Sequence, residues 1–358
     1  MPTQPWLSGQ AGPEILVKVL GLGGAGVNIA SYIHERLEPD MEPSRRWPEP
    51  FVGIETVACD TDAGSIGCAN VSKRLLVGGA VTRGRGCGGN QRVGREAVES
   101  GCREILEACD DADIVFVVAG LGGGTGGGGI AVVANAICAT GIPVAVLAIT
   151  PLAAQRDYSR SITAEALDNL RRMSITTILF PMERLVAVAK HGPRSPIRQL
   201  IKVADRQVAS PVMALAALDR SARDPSGEFS FADVARFFKH LEGMLNHHAF
   251  GVAAESKPTK TPEEALDLAM SCPSVKEFME QSDALVGVVQ LPTDHDWCNH
   301  DPEEFLALWR LITFPSDRSP NRMIRIGKGD HTEGFIAFAM AFKNNWEPTP
   351  QWLYPDDR

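Results

Sequence analysis

The chain has 358 residues, 44% of them hydrophobic and 22% charged, which is the usual balance of a globular protein. Its length is sufficient for two domains. The formal net charge of −9 argues against a nucleic-acid-binding protein, because neutralising phosphates requires a basic face. Apolar stretches are too short to span a bilayer, the N-terminus does not resemble a signal peptide, and the eight cysteines are scattered. We expect a cytoplasmic protein without direct membrane insertion.

Strands and helices are predicted to alternate through the first half of the chain. Segments with helical periodicity separate the apolar runs, including one over about 93–108 and one that ends near Ala139, before Gly141. This alternation implies a parallel sheet covered by helices on both faces, so the predicted fold class is α/β with a Rossmann-like sheet. The predicted strands are 15–20, 51–59, 75–77, 113–119, 143–149 and 175–180.

The pattern changes in the second half of the chain. A long apolar-periodic segment at 197–218 predicts a helix that is interrupted at Pro211, because proline lacks the N–H that the helix needs. Beyond it we predict a smaller α+β domain, with helices from Phe231, Thr261 and Asp301 and strands at 284–289, 323–326 and 334–342. The predicted organisation is an N-terminal tail (1–14), a nucleotide-binding domain (15–195), a connecting core helix (196–220), a C-terminal α+β domain (221–342) and a C-terminal tail (343–358).

The glycine-rich run GLGGGTGGGG at 120–129 is the most informative motif. It follows a predicted strand and precedes a predicted helix. A loop with so few side chains allows backbone N–H groups to surround an anion, and the N-terminus of the next helix adds partial positive charge. A flexible linker is the alternative, but a linker is not expected between a buried strand and a helix. The run therefore predicts a phosphate-binding loop.

A second glycine motif, Gly21-x-Gly23-x-x-Gly26, follows the first predicted strand. It matches the dinucleotide fingerprint, so an NAD(P)-dependent oxidoreductase is a competing hypothesis. Such an enzyme needs an acid about 20 residues further on, and here the second strand ends later, at Asp60 and Asp62. Phosphate-facing loops after several strands are better suited to a triphosphate with Mg²⁺ bridging its oxygens.

Four motifs in this order, GLGGAGVN, CDTDA, RGCGGN and GLGGGTGGGG, closely resemble those of FtsZ, the bacterial relative of tubulin. The similarity continues in FPMERL (180–185), SFADV (230–234) and GFIAFAMAF (334–342). The resemblance implies a Rossmann-like GTP-binding domain joined by a long core helix to a smaller α+β domain. It also implies binding of GTP or GDP with Mg²⁺, head-to-tail self-assembly into protofilaments, hydrolysis between subunits and a role in cell division.

The resemblance also assigns nucleotide-binding residues, one motif at a time. Asp205 matches the residue that reads the guanine edge, for which a carboxylate is suited because it accepts two N–H donors. Gln155 stands where the family has a ribose-contacting glutamate, and Ile201 where it has an aromatic residue against guanine. No protein metal ligands are predicted. The nucleotide-binding candidates are Gly23, Gly24, Asn28, Asp62, Ala63, Cys87, Gly88, Gly89, Gly122, Gly123, Gly124, Thr125, Gly126, Gln155, Arg160 and Asp205.

The catalytic loop departs from the family pattern Asn-x-Asp-x-x-Asp, which in FtsZ reaches the neighbouring subunit's nucleotide. Here Asp233 keeps the second acid, but Ser230 replaces the first and Glu228 the asparagine. Losing a positioned general base lowers a rate by ~10²–10⁴. We therefore expect Asp233, and Glu228 if it reaches the site, to support only slow or assembly-dependent hydrolysis.

The C-terminal tail and the cellular mode of action each allow two interpretations. The tail WEPTPQWLYP (346–355) has apolar side chains but too many prolines for a helix, so it either packs on the body or docks on a protein partner. A non-polymerising GTP-binding module that regulates a partner is the alternative to a filament-forming protein. The cluster DHDWCNHD (294–301) lacks the spacing of zinc ligands, and we interpret it as structural.

Overall fold

The structure is a computed structural model, and it describes residues 15–37, 52–151, 156–182, 197–223, 241–242, 249–271, 284–291, 322–328 and 336–344. The predicted helices from Phe231 and Asp301, the 294–301 cluster and both tails lie outside these residues. Within the described part, no helix is long and apolar enough to cross a membrane.

The first half forms a parallel sheet with helices on both faces, which confirms the predicted α/β class. Its six strands are arranged in the order β3-β2-β1-β4-β5-β6. The strands are β1 (Ile15–Leu22), β2 (Val52–Asp60), β3 (Lys73–Leu76), β4 (Ile114–Gly120), β5 (Val144–Thr150) and β6 (Thr177–Pro181). The helices are α1 (Gly23–Leu37), α2 (Ala63–Cys68), α3 (Gly79–Thr82), α4 (Gln91–Ser100), α5 (Cys102–Glu107), α6 (Gly124–Cys138) and α7 (Arg156–Arg172).

Alternate side chains of the strands divide the hydrophobic core into two layers. On β4, Phe116 and Val118 face the layer that contains α1, whereas Val115 and Val117 face the layer that contains α6 and α7. Both layers are closed to water, so the central strands are apolar on both faces and read as continuous hydrophobic runs. This explains why the strands of the first half could be located from the sequence.

The second half extends the same sheet. It contributes α8 (Ile197–Arg223), β7 (Ala249–Glu255), α9 (Pro262–Met270), β8 (Ala284–Leu291), β9 (Arg322–Lys328) and β10 (Ile336–Asn344). The sheet continues from β6 in the order β7-β10-β8-β9, with β10 antiparallel to both of its neighbours. The helix predicted from Thr261 is confirmed, since the Thr261 hydroxyl caps α9 by accepting the N–H of Glu264 at 3.2 Å. The division into domains at the stated boundaries stays a prediction.

The helix predicted over 93–108 is observed as two helices. The break lies at Gly101, which separates α4 from α5. A Cβ at Gly101 would lie 2.6 Å from Cβ of Val77, the residue that follows β3. The chain therefore turns at a position where a larger residue would collide with Val77.

The predicted interruption of the long helix at Pro211 is wrong, because α8 continues through the proline to Arg223. In a helix, the N–H of residue 211 would donate to the Gln207 carbonyl, and proline has no N–H. The buried Ser210 hydroxyl takes over this role by donating to the Gln207 carbonyl oxygen at 2.7 Å. A side-chain donor therefore satisfies the carbonyl that the proline leaves without its helical partner.

This arrangement predicts that the effect of Ser210 on stability depends on Pro211. Ser210→Ala should lower the free energy of unfolding by ~1–2 kcal/mol, because it leaves the buried Gln207 carbonyl without a donor. In a Pro211→Ala background the restored backbone N–H supplies that donor, so the same serine substitution should cost much less. Urea unfolding of the four proteins measures the difference, and equal costs in both backgrounds would contradict this account.

Candidate functional site

The candidate site lies at the switch point of the sheet, between β1 and β4. The chain leaves β1 into α1 on one face and leaves β4 into α6 on the other, so two helix N-termini meet at one sheet edge. A Cβ at Gly23, whose φ is +71°, would lie 2.9 Å from the backbone nitrogen of Gly126. The crevice at such a switch point is the usual ligand-binding position of an open α/β sheet.

Two glycines of the first motif allow α1 to approach the sheet. A Cβ at Gly21 would lie 2.2 Å from the Gly26 carbonyl oxygen, and a Cβ at Gly26 would lie 2.2 Å from the Val118 carbonyl oxygen. Only residues without a side chain fit there. These contacts fix the start of α1 beside the start of α6.

The N-terminus of α6 is uncapped and open. Its N-cap residue is Gly123, which has no side chain to accept an N–H of the first turn. The first backbone N–H groups of a helix lack acceptors within the helix. A Cβ at Gly24 would have no atom within 4 Å, and one at Gly123 would have only the Gly120 carbonyl oxygen, at 3.8 Å. The space beside these N–H groups is therefore free, and it suits an anion.

The second part of the glycine run has a different role from the one predicted. The whole run was expected to form a loop, but α6 begins at Gly124, and the residues of the run from Gly124 to Gly129 are buried. A Cβ at Gly128 would lie 2.1 Å from the Gln91 carbonyl oxygen, and a Cβ at Gly129 would lie 2.6 Å from a methyl carbon of Val98. These glycines allow α4 to pack closely on α6. The phosphate-binding prediction therefore applies only to the first part of the run.

A buried hydroxyl of Thr61 joins the loops after β2, β3 and β4. Its oxygen lies 2.8 Å from the Thr125 hydroxyl at the start of α6 and 3.2 Å from the Cys87 sulfur. The Thr61 carbonyl accepts the backbone N–H of Gly86 at 3.0 Å. Thr61 is fully buried. These bonds hold Cys87 and Thr125, both predicted site residues, next to each other.

The loop 83–90 is held by its own backbone and by Asp62. The carboxylate of Asp62 caps α2, accepting the N–H of Gly64 at 2.7 Å and of Ser65 at 3.1 Å. The N–H of Ala63, another predicted site residue, donates to the Gly84 carbonyl at 2.9 Å. Positive φ values of 55° at Gly88 and 81° at Gly89 turn the chain toward α4. The antiparallel backbone bridge between Asp62 and Arg85, together with the Ala63 bond, thus positions this loop.

Asp205 lies on α8 in surroundings that disfavour its charge. Burial raises the pKa of its carboxyl to about 6, from the usual 3.8. No residue in the described part of the chain is seen to donate a hydrogen bond to it. Ile201, one helical turn earlier and on the same face, has 42% of its surface exposed. An apolar side chain beside a carboxylate that lacks donors is suited to a base carrying N–H groups.

The segment of α8 that carries Asp205 is anchored to the end of β7. The Gln207 amide donates to the Glu255 carbonyl at 3.1 Å and accepts the Glu255 N–H at 3.0 Å. The neighbouring Arg206 forms an ion pair with the Glu255 carboxylate at 2.6 Å. The position of Asp205 therefore depends on a strand of the second half of the chain.

The remaining predicted residues are only partly placed. Asn28 is exposed on α1, and Arg160 lies on α7 with its side chain outside the described part. Glu228, Asp233 and Gln155 are also outside it. Within the described residues, no group of three or more His, Cys, Asp and Glu side chains is placed to bind a metal ion. Sequence reasoning missed Thr61 and Gln91, whose contacts with the glycine loop are visible only in three dimensions.

Comparison with known proteins supports the resemblance seen in the motifs. A family model described as "Tubulin/FtsZ family, GTPase domain" matches residues 16–190. Cell division protein FtsZ 1 of Archaeoglobus fulgidus is 32% identical over 322 residues, which is 88% of this chain and 82% of that protein. FtsZ 1 of Methanocaldococcus jannaschii is 30% identical over 259 residues, which is 72% of this chain. That alignment covers 64% of the relative, and alignments with several other FtsZ proteins cover about half of them.

Solved structures agree on the fold. An empty FtsZ dimer of M. jannaschii superposes with a TM-score of 0.72 at 25% identity, covering 97% of this chain and 96% of that one. The similarity therefore extends over the second half of the chain, beyond the region that the family model matches.

The raised pKa of Asp205 predicts that its charge destabilises the fold without ligand. Burial disfavours the ionised form, so the stabilising contribution of the protonated Asp205 is complete below pH 3.8 and is lost as the pH rises through about 6. Asp205→Asn removes this cost. Without nucleotide, the variant should exceed the wild type in free energy of unfolding by ~1–3 kcal/mol at pH 7.5, and the difference should shrink toward pH 4.5.

Chemical unfolding at the two pH values measures this difference. Asp267→Asn, which changes an exposed aspartate on α9, is the matched control and should show no such dependence on pH. A wild type and an Asp205→Asn variant of equal stability at both pH values would show that the carboxylate is fully solvated.

Proposed function

This chain belongs to the tubulin/FtsZ family, and from that premise we propose that it binds GTP at the switch point between β1 and β4. The observation that carries the proposal is the uncapped N-terminus of α6, which faces open space beside Gly24 and Gly123. Backbone N–H groups and the helix dipole there suit the phosphates of a nucleotide. The Thr61, Cys87 and Thr125 cluster supports it by holding the loop 83–90 against the same helix.

The base-binding part of the proposal rests on α8. Asp205 accepts the two guanine N–H donors that adenine lacks, and Ile201 covers the base in place of the family's aromatic residue. Ionised Asp205 is unfavourable in the free protein, because burial removes water without supplying hydrogen-bond donors. In the proposed complex, guanine supplies these donors. Asn28, Gln155 and Arg160 complete the proposed nucleotide contacts. Mg²⁺ would be held mainly by the phosphates, as is usual for this small, strongly hydrated ion.

We further propose head-to-tail self-assembly with slow hydrolysis of GTP between subunits. In support, one structural neighbour is an FtsZ dimer of M. jannaschii and another is a GTPγS-bound protofilament of CetZ2 from Haloferax volcanii. In the proposed assembly, Asp233 and Glu228 of one subunit polarise the attacking water at its neighbour's nucleotide. The relatives are named cell division proteins, and we propose that this chain also acts in cell division. We propose the cytoplasm as its location.

Substitution of Gly123 tests nucleotide binding. The structure has room for a side chain at this position, so Gly123→Val should fold normally. The valine would occupy the space beside the α6 N–H groups, and losing two charge-assisted hydrogen bonds should weaken GTP by ~100-fold or more. Calorimetry with GTP and ATP measures the affinities, and the wild type should prefer GTP.

Gly67→Val is the matched control, because this exposed glycine of α2 likewise has room for a side chain, with no atom within 4 Å of an added Cβ. It should bind GTP like the wild type. Unchanged affinity in Gly123→Val would remove the central part of the proposal.

Assembly and hydrolysis are tested together by sedimentation with GTP, GDP or no nucleotide, with released phosphate measured in the same samples. The wild type should pellet with GTP and release phosphate slowly. Ser230→Asp restores the family's first acid and should raise turnover by ~10-fold or more, if position is the only defect. Asp233→Ala should remove the residual activity without weakening GTP binding, since the residue acts on the neighbouring subunit's nucleotide.

Two results would redirect the proposal. Rapid hydrolysis at concentrations where the protein stays monomeric would require a general base within the same subunit. GTP binding without any pelleted protein would favour the alternative, a non-polymerising module that acts through a partner.

A further inference from the structure

We propose that Gln91 is a positioning residue for the nucleotide site, which clamps the glycine-rich loop in its phosphate-binding conformation. This inference rests on the proposed binding of GTP. The Gln91 side-chain amide donates to the Leu121 carbonyl oxygen at 2.7 Å and contacts the Gly123 carbonyl oxygen at 3.3 Å. Both carbonyls belong to the turn between β4 and α6.

The backbone of Gln91 is itself fixed. It is the first residue of α4, and the preceding Asn90 caps that helix by accepting the N–H of Arg92 at 3.0 Å and of Val93 at 3.2 Å. The capped turn therefore gives the Gln91 side chain a rigid base. In contrast to the uncapped α6, the start of α4 has its donors satisfied by the protein.

The two carbonyl oxygens that accept from Gln91 must point away from a bound anion. A phosphate is attracted to backbone N–H groups and repelled by carbonyl oxygens, so the turn binds one only with its carbonyls directed elsewhere. Leu121 is held at both ends, since its N–H donates to the Ile149 carbonyl at 2.8 Å and its own carbonyl accepts from Gln91. The Gly123 carbonyl also accepts the Gly127 N–H at 3.2 Å. Each carbonyl thus has a donor on the side of α4 and α6.

The glycine run provides the space for this clamp. A Cβ at Gly127 would lie 1.9 Å from the Gln91 amide nitrogen and 2.4 Å from the Leu121 carbonyl oxygen. A Cβ at Gly128 would lie 2.1 Å from the Gln91 carbonyl oxygen. Gly127 and Gly128 therefore leave the space through which Gln91 reaches the turn beside the proposed phosphate position. Gln91 thereby joins the turn 121–123 to the start of α4, directly after the loop 83–90.

The test uses Gln91→Met, which keeps the length of the side chain and removes its donors. Without the bonds from Gln91, the turn samples other conformations. Binding of the nucleotide must then order the turn, and this cost lowers the affinity. GTP and GDP should bind about 5- to 30-fold more weakly, the equivalent of one to two neutral hydrogen bonds. Glu99→Met introduces the same residue at an exposed position at the other end of α4, and it should bind both nucleotides like the wild type.

Hydrogen exchange of the nucleotide-free proteins separates positioning from general destabilisation. Gln91→Met should speed exchange of the amides at 121–126, while amides in the core strands β4 and β5 should exchange as in the wild type. Gln91→Glu lacks the donors at neutral pH and also places negative charge beside the two carbonyl oxygens, so it should bind nucleotide more weakly than the methionine variant.

A wild type that binds GTP and a Gln91→Met variant that binds it equally well would overturn the inference. Faster exchange throughout the protein would also overturn it, because the residue would then be merely structural. A wild type without GTP affinity would instead refute the proposed function, and the exchange at 121–126 alone would then decide whether Gln91 holds the turn.

Discussion

The absence of side chains at the start of α6 is the constraint on which the rest of this structure depends. Four pieces of backbone meet there: the ends of β1 and β4, the start of α1, and α4. A Cβ at Gly26, Gly94 or Gly128 would lie 2.0 to 2.2 Å from a carbonyl oxygen of the adjoining segment. No adjustment of a flexible side chain could relieve such contacts, because the obstacles are backbone atoms. The site and the packing of the helices around it therefore have the same steric origin.

Two features of the proposed site favour ligand binding at the expense of the stability of the free protein. The α6 N-terminus has no capping side chain, although a cap typically contributes about 1 kcal/mol. Asp205 is half-buried without a donor in the described part of the chain. Both features are unfavourable in the free protein, and the proposed GTP, which carries phosphate oxygens and N–H donors, would relieve both. The Gln207 and Glu255 contacts hold Asp205 in this costly position.

The sequence allowed good predictions where structure follows from local pattern. The strand predicted at 284–289 is observed as Ala284–Leu291, and the Thr261 cap is confirmed, because apolar runs and capping residues act within a few positions. It failed where a contact joins residues far apart in the chain. The separate roles within the glycine run depend on Gln91, about 30 positions earlier. The continuity of α8 at Pro211 was missed for a different reason, because it depends on the rotamer of the nearby Ser210 hydroxyl, which the sequence does not specify. The residues of the catalytic loop and two of the predicted nucleotide contacts, Gln155 and the Arg160 side chain, lie outside the described part.

The junction between β6 and β7 gives the molecule a mechanical asymmetry. The two halves of the sheet meet there over the short overlap of Thr177–Leu179 with Phe250–Val252, whereas β1 and β2 pair along the whole of β1. A load pulling the halves apart would concentrate at this narrow seam. The Gln207 and Arg206 contacts to Glu255 tie α8 to β7 beside the seam, so a tensile force on the second half reaches the helix that carries Asp205. A displacement of the second half of the sheet would therefore reach Asp205 through α8 as well as through the strand pairing.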